Sequence, residues 1–222
     1  MMIENTVDLY DLNYRTYDKW YEDHKFAYLS ELKALKRVVP KKGNGLEIGV
    51  GTGRFAAPLG IRYGIDPSKK MIPLAKKRGV IVVLGCGETL PFADACFDHA
   101  AVINTLCFVK NPNQTLRESH RVLKNSGTLV VGFIERNSFL GQAYQTKKSR
   151  FYKSAHFFSV EELTELIKSF GFSRFSFHQS IFQFPEKIVS IEKPKRDFGR
   201  GGFVVMAAKK DIRDSQKSDV QG

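Results

Sequence analysis

From residue 44 onward, short apolar runs alternate with longer polar stretches that carry helix caps, the pattern of βαβ units built around a parallel sheet. Five runs read as strands: "GLEIGV" from residue 45, "YGID" from 63, "VIVVLG" from 80, "FDHAAVINT" from 97 and "GTLVVGFIE" from 127. Two of the helices between and after them have readable ends. Asn111 as N-cap and Pro112 at the first helical position precede Leu116, His120 and Leu123 on one face, with Gly127 as the stop. Ser159 and Glu162 make a capping box ahead of Leu163, Leu166, Ile167 and Phe170, and Gly171 ends that helix. Residues 14 to 39 read as helical, with Tyr28, Leu29, Leu32, Leu35 and Val39 on one stripe. The runs "FSRFSFHQSIFQF" and "GGFVVMAAKK" have no helical pattern between them, so they should pair as an antiparallel hairpin at the sheet edge. The expectation is a single α/β domain over residues 44 to 208, its mixed sheet mostly parallel with an antiparallel C-terminal hairpin strand. Residues 1 to 43 would form a helical cover, and the polar tail 209 to 222 would be disordered.

Composition narrows the class. The chain has 222 residues, 42% of them hydrophobic, enough for one sizeable core. Cys86, Cys96 and Cys107 are odd in number and too widely spaced for a CxxC pair, so neither a disulfide framework nor a zinc site is indicated, and a reducing compartment is expected. No apolar run approaches the roughly 18 residues of a membrane span, and the N-terminus lacks a secretory h-region. A cytoplasmic protein without a membrane partner follows as the expectation.

The charge pattern adds a candidate surface. The formal net charge is +12. Residues 135 to 158 carry Arg136, Lys147, Lys148, Arg150 and Lys153 among Phe139, Tyr144, Phe151, Tyr152, Phe157 and Phe158. The stretch 185 to 202 adds Lys187, Lys193, Lys195, Arg196 and Arg200. Both should leave the sheet at its cofactor end and form a basic, aromatic lid, weakly anchored, suited to an anionic substrate or to RNA. A solvated basic surface is the competing reading.

The chemistry begins at "LEIGVGTGRF", where Gly49, Gly51 and Gly53 follow Glu47. Glycines between a strand and a helix allow a sharp turn and a close approach of backbone to ligand. This ExGxGxG resembles motif I of class I S-adenosylmethionine (SAM) dependent methyltransferases, in which the loop runs along the methionine moiety and the carboxylate acts near its ammonium end. "YGIDPSKKM" resembles the family's second-strand motif, which implies that Asp66 accepts the ribose hydroxyls. "GCGETLPFADACFD" resembles the stretch between the third and fourth strands. It departs from the usual pattern, because Cys86 stands where an aspartate commonly takes the adenine amino group. Adenine would then be held by backbone near Gly87 and Glu88 and by apolar contact. "RESHRVLKNSGTLVV" and "FFSVEELTELIKSFGF" are similar to later segments of the family, and "YRTYDKWY" to a helix over the cofactor, which implies that Tyr17 or Trp20 touches the methionine end. The resemblance covers residues 14 to 208, is specifically to the methyltransferase-11-like group, and implies a doubly wound, Rossmann-like fold with SAM as cofactor. It also places Asn104, in "NTLCF" after the fourth strand, beside the transferred methyl.

Methyl transfer from an activated sulfonium needs positioning more than a base. His156, in the segment after the fifth strand, is a weak candidate base, whereas His99 and His120 read as packing residues. Cys107 has no basic partner and reads as a buried structural thiol. The reading is methyl transfer to a small-molecule acceptor. Transfer to RNA is the less favoured alternative, no RRM or KH signature being present, and SAM binding without catalysis is another.

Overall fold

The computed structural model describes residues 6 to 147 and 151 to 212. The outer part of the basic segment, Lys148 and Arg150, and most of the tail, from residue 213, lie outside the described residues.

Two helices come first, α1 (Thr6–Asp23) and α2 (Lys25–Leu35). The helical region thus starts earlier than residue 14 and is broken at His24; within α1 a kink at Asn13 (φ −118°, ψ 15°) is closed by its Nδ2 donating to the Leu9 carbonyl at 2.7 Å. The βα units follow: β1 (Gly45–Ile48), α3 (Ala56–Leu59), β2 (Tyr63–Asp66), α4 (Ile72–Lys77), β3 (Ile81–Leu84), β4 (Phe97–Ile103), α5 (Pro112–Val122) and β5 (Leu123–Ile134). Then come α6 (Phe139–Thr146), α7 (Val160–Ser169), β6 (Phe172–Ser180), a short turn of 3-10 helix (Pro185–Lys187), β7 (Lys195–Arg196) and β8 (Phe203–Lys210).

The eight strands form one sheet in the order β3-β2-β1-β4-β5-β8-β6-β7. The first five are parallel, and β8 is antiparallel to both β5 and β6. The expected hairpin is therefore present at that edge, with β8 as its inner strand and the two-residue β7 outside. β8 runs through Lys210, so Lys209 and Lys210 belong to the sheet rather than to a disordered tail.

The caps of α5 and α7 are as the sequence indicates: Asn111 accepts from the Gln114 N–H and Ser159 from the Glu162 N–H. The end of α5 differs. Leu123 leaves the helix (φ −76°, ψ 135°), pairs with Phe97 in the sheet and is fully buried. The carbonyls of His120 and Leu123 instead accept from the Lys210 ammonium at 2.7 Å, so a long-range contact ends the helix where no local stop exists.

Apolar side chains fill both faces of the sheet. Leu32, Leu35, Phe55, Ala75, Phe203 and Val205 lie in one buried cluster, and Leu46, Ile48, Leu116, Leu163, Phe172 and Val204 in the other. The registers Ile48↔Ile65, Ile48↔Val102 and Ile103↔Gly132 align the carboxyl ends of β1, β2, β4 and β5, and Ser180↔Phe203 brings the C-terminal hairpin level with Ile134. All their connections leave along one edge, the position where open α/β sheets bind ligands.

Candidate active site

The turn after β1 is built from three glycines with left-handed φ values of +73°, +52° and +79° at Gly49, Gly51 and Gly53. A side chain at each would meet a different neighbour. A Cβ at Gly49 would lie 2.2 Å from the Thr105 methyl, and one at Gly53 would lie 3.0 Å from the Ala75 Cα, so these two serve close packing. At Gly51 the nearest atoms are 3.5 Å away, on Met71 and Tyr17, and this glycine faces an open cavity.

That cavity has a volume of about 360 Å³, and Gly49, Gly51, Asp66, Gly87, Glu88, Asn104 and Tyr17 all line it. Glu47 and Gly53 do not; they lie behind the wall. Asp66 is fixed at both oxygens, Oδ2 accepting from the Gly51 N–H at 2.7 Å and Oδ1 from the Ser68 N–H at 2.8 Å. Burial raises its pKa to about 6 against the lowering effect of those two N–H groups. A carboxylate offers about four acceptor positions, so two remain for a pair of ligand hydroxyls. Glu47 is buried, its pKa pushed well above the usual range by burial and drawn back in part by a hydrogen bond from the Ala56 backbone; Oε2 has no partner. Glu47 is thus a buried acid with one unpaired oxygen behind the glycine turn, and the structure does not bring it to the cavity surface, where the sequence motif implied a contact with the ammonium end of SAM.

At the far end of the cavity, Cys86 is exposed beside the buried Gly87. Glu88 spends Oε1 on the Lys110 and Asn111 N–H groups, tying the loop after β3 to the one after β4. Ile48, Met71, Phe108 and Val109 supply an apolar lining. These surroundings fit an adenine held without the usual aspartate. Asn104 sits in the left-handed region (φ +50°), its N–H donating to the Gly132 carbonyl at 2.7 Å. Tyr17 stands between this cavity and the next, hydrogen-bonded to the Tyr21 hydroxyl at 2.8 Å, and burial pushes its pKa up.

An ion-pair network fastens α1 across the glycine turn. Arg54, the residue after Gly53, donates to Asp18 at 2.6 Å and to Glu22 at 2.7 Å. Arg78 bridges Asp18 at 2.8 Å and the Thr52 carbonyl at 2.7 Å. Burial acts to raise the Asp18 pKa, but the two guanidiniums outweigh it and hold the carboxyl at about 2.

The second cavity, about 270 Å³, adjoins the first and shares Tyr10, Tyr17, Asn104, Thr105 and Phe108 with it. Its walls are aromatic. Tyr10, Tyr17, Trp20 and Tyr21 come from α1, Tyr144 from α6, and Tyr152 and Phe157 from the segment before α7. Tyr144 and Tyr152 are stacked at 4.4 Å between centroids. Glu31, from α2, lies in this lining with only 4% of its surface exposed. Sequence reading passed over it, although an acid at the i+3 position from Tyr28 and i−4 from Leu35 occupies the buried stripe of the helix.

From the described parts of the 135–158 segment, Leu140, Tyr144, Lys147, Phe151, Tyr152, Phe157 and Phe158 line this cavity, and several of them are well packed. Leu140, Phe157, Phe158 and, from the second segment, Ile188 are buried. Arg136 is paired with Glu162 at 2.6 Å, and among the described residues Lys147 is the cation in the lining. His156 is mostly exposed, lies 3.6 Å from Glu162 and does not line either cavity. Burial pushes the Cys107 thiol up to about 12, which suits a structural cysteine rather than a nucleophile. Among the described residues no group of His, Cys, Asp and Glu is placed to hold a metal ion, and no helix is long and apolar enough to cross a membrane.

Comparison with known proteins assigns the class. A methyltransferase-domain family model matches residues 46–131. The crystal structure of a Thermotoga maritima protein described as a "SAM-dependent methyltransferase, possible histamine N-methyltransferase" superposes with a TM-score of 0.90 at 45% identity, covering 93% of this chain and all of that one. An uncharacterized Methanocaldococcus jannaschii protein is 45% identical over 92% of this chain and its own full length, and an uncharacterized methyltransferase of Anoxybacillus flavithermus is 28% identical over 78% of this chain and 88% of its own. The chain belongs to the class I SAM-dependent methyltransferases, and SAM is its cofactor.

Proposed function

We propose that the protein transfers the methyl group of SAM to a small molecule with an aromatic or apolar body, bound in the aromatic cavity. The observation that carries this reading is that the two cavities adjoin, with Tyr10, Tyr17, Asn104, Thr105 and Phe108 in both linings. SAM supplies an activated methyl; the chain's own task is to seat two reactants against each other and exclude water. In this reading Asp66 holds the ribose, Gly51 lets the methionine chain pass, and Tyr17 and Asn104 stand at the junction where the methyl crosses; Glu47, behind the wall, acts at most through the glycine turn.

A deep cavity of about 270 Å³ with aromatic walls favours a compact acceptor over RNA, whose recognition relies on an extended basic face. An anionic acceptor is also disfavoured relative to an aromatic one, since the buried ionisable group in the lining is a carboxylate and Lys147 lies exposed at the rim. The name of the Thermotoga relative points the same way, to a small aromatic amine. Free Cys86, Cys96 and Cys107 suit a cytoplasmic setting. The test is incubation of the protein and tritium-labelled SAM with size-fractionated cell extract. Label should enter the small-molecule fraction; label confined to RNA or protein would overturn the acceptor class.

A further inference from the structure

We infer that Glu31 is the specificity-determining residue of the acceptor cavity, and that it selects an amine, held as its ammonium ion between the carboxylate and the faces of the surrounding tyrosines. This rests on the methyltransferase reading of the same cavity and deepens it by naming the substrate class.

Glu31 sits on the buried side of α2 within the lining of the cavity, and its Oε2 is buried there without a hydrogen-bond partner. A carboxyl kept in that state costs stability, because nothing replaces the water it lost. Its titratable and charged neighbours do not relieve it. Tyr17 and Tyr21 from α1, Tyr28 from α2, Tyr144 from α6 and Tyr152 before α7 are each destabilised as anions by it, and all remain neutral phenols. Lys147, the cation in the lining among the described residues, is exposed and rests over the Tyr144 ring at 5.9 Å from its centroid. Burial alone raises the Glu31 pKa to about 8.

A ligand that supplies the missing charge would have to be cationic. The walls agree with that requirement, since the faces of Tyr and Trp rings attract an ammonium and do so more strongly when water is excluded. Aromatic walls without an acid would equally suit any apolar ring, and an acid without aromatic walls would suit a metal or a salt bridge. Together they describe an amine with an apolar body. Proton balance gives the arrangement a signature. Free Glu31 is mostly protonated at neutral pH, and the amine arrives as an ammonium ion. The complex holds one proton fewer than the two free partners, whether that shared proton resides on nitrogen or on oxygen, so binding releases about one proton to solvent.

The experiment is calorimetry on the full chain saturated with S-adenosylhomocysteine, using three probes of matched shape: phenethylamine, phenethyl alcohol and phenylacetate. Phenethylamine should bind about tenfold or more tightly than the other two, a difference of about 1.4 kcal/mol. Glu31→Gln should reduce that preference to within about twofold while changing S-adenosylhomocysteine affinity by less than about threefold. Titrations of the parent protein in two buffers of different ionisation enthalpy should report about one proton released per phenethylamine at neutral pH, a reading that does not depend on the variant folding. Equal affinity for the three probes, tighter binding of phenylacetate, no binding of phenethylamine, a preference that survives in Glu31→Gln, or no proton release would each overturn the assignment. Failure to bind S-adenosylhomocysteine itself would instead overturn the methyltransferase reading beneath it.

Discussion

The two adjoining cavities are made in different ways. The cofactor cavity is largely a backbone structure: Gly49, Gly51 and Gly87 contribute bare main chain, and Asp66 is fixed by the N–H groups of Gly51 and Ser68. The aromatic cavity, the proposed acceptor site, is a side-chain structure, assembled from tyrosines of α1 and α6, one acid of α2 and the aromatic residues before α7. Backbone-built sites tolerate few changes, because a side chain added there has no rotamer that avoids the ligand. Side-chain-built sites can be retuned residue by residue.

Gly51→Val should give the largest effect. The residue has φ +52° and faces the cavity, so a branched side chain would strain the turn and occupy the ligand's path. SAM affinity should fall by at least about 3 kcal/mol, more than a hundredfold, with the circular dichroism spectrum unchanged. Retained binding would show that the turn is not the cofactor's path.

Asp66→Ala comes next. Loss of charge-assisted hydrogen bonds to the ribose should weaken SAM by about 1.5 to 3 kcal/mol in calorimetry, and unchanged affinity would remove the ribose assignment.

The acceptor side should respond in stability rather than in SAM binding. With a folded pKa of about 8, raised above the ordinary carboxylate value, Glu31 binds its proton more tightly in the native than in the unfolded chain. Its contribution is therefore fully present below the unfolded pKa and is lost as pH rises through about 8. Glu31→Gln, free of that titration, should gain about 1 to 2 kcal/mol over the parent between about pH 5 and about pH 8.5 in urea unfolding, a figure reduced from the full shift for water entering the cavity. A variant that tracks the parent at both pH values would mean that Glu31 ionises without penalty.

Lys147→Ser should matter least. An exposed cation at the rim is screened over about 8 Å at physiological salt, so SAM affinity should stay within about threefold and acceptor affinity should change by less than about 0.7 kcal/mol. A tenfold loss for an anionic acceptor in a turnover titration would restore the basic-lid reading.

The same contrast explains how much was legible in the sequence. Gly51, Asp66 and Gly87 sit in short local motifs that resemble those of the family, and the mostly parallel character of the sheet follows from the alternation around them. The role proposed for Glu31 was not legible, because it depends on Tyr144 and Tyr152, more than a hundred positions away, which line the same cavity. The end of α5 was misread for a similar reason: Lys210, distant in sequence, receives the carbonyls of His120 and Leu123. The basic composition of residues 135 to 158 suggested a loose lid, whereas Leu140, Phe157 and Phe158 turn inward and anchor it. Periodicity reports local geometry and registers only weakly what a distant segment will cover.

The most direct test is a crystal structure of the protein with S-adenosylhomocysteine. The account predicts the ribose against Asp66, the homocysteine chain over Gly51, and the sulfur at the junction of Tyr17 and Asn104, directed into the aromatic cavity that holds Glu31. A ligand lying elsewhere, or one whose sulfur faces away from that cavity, would contradict it.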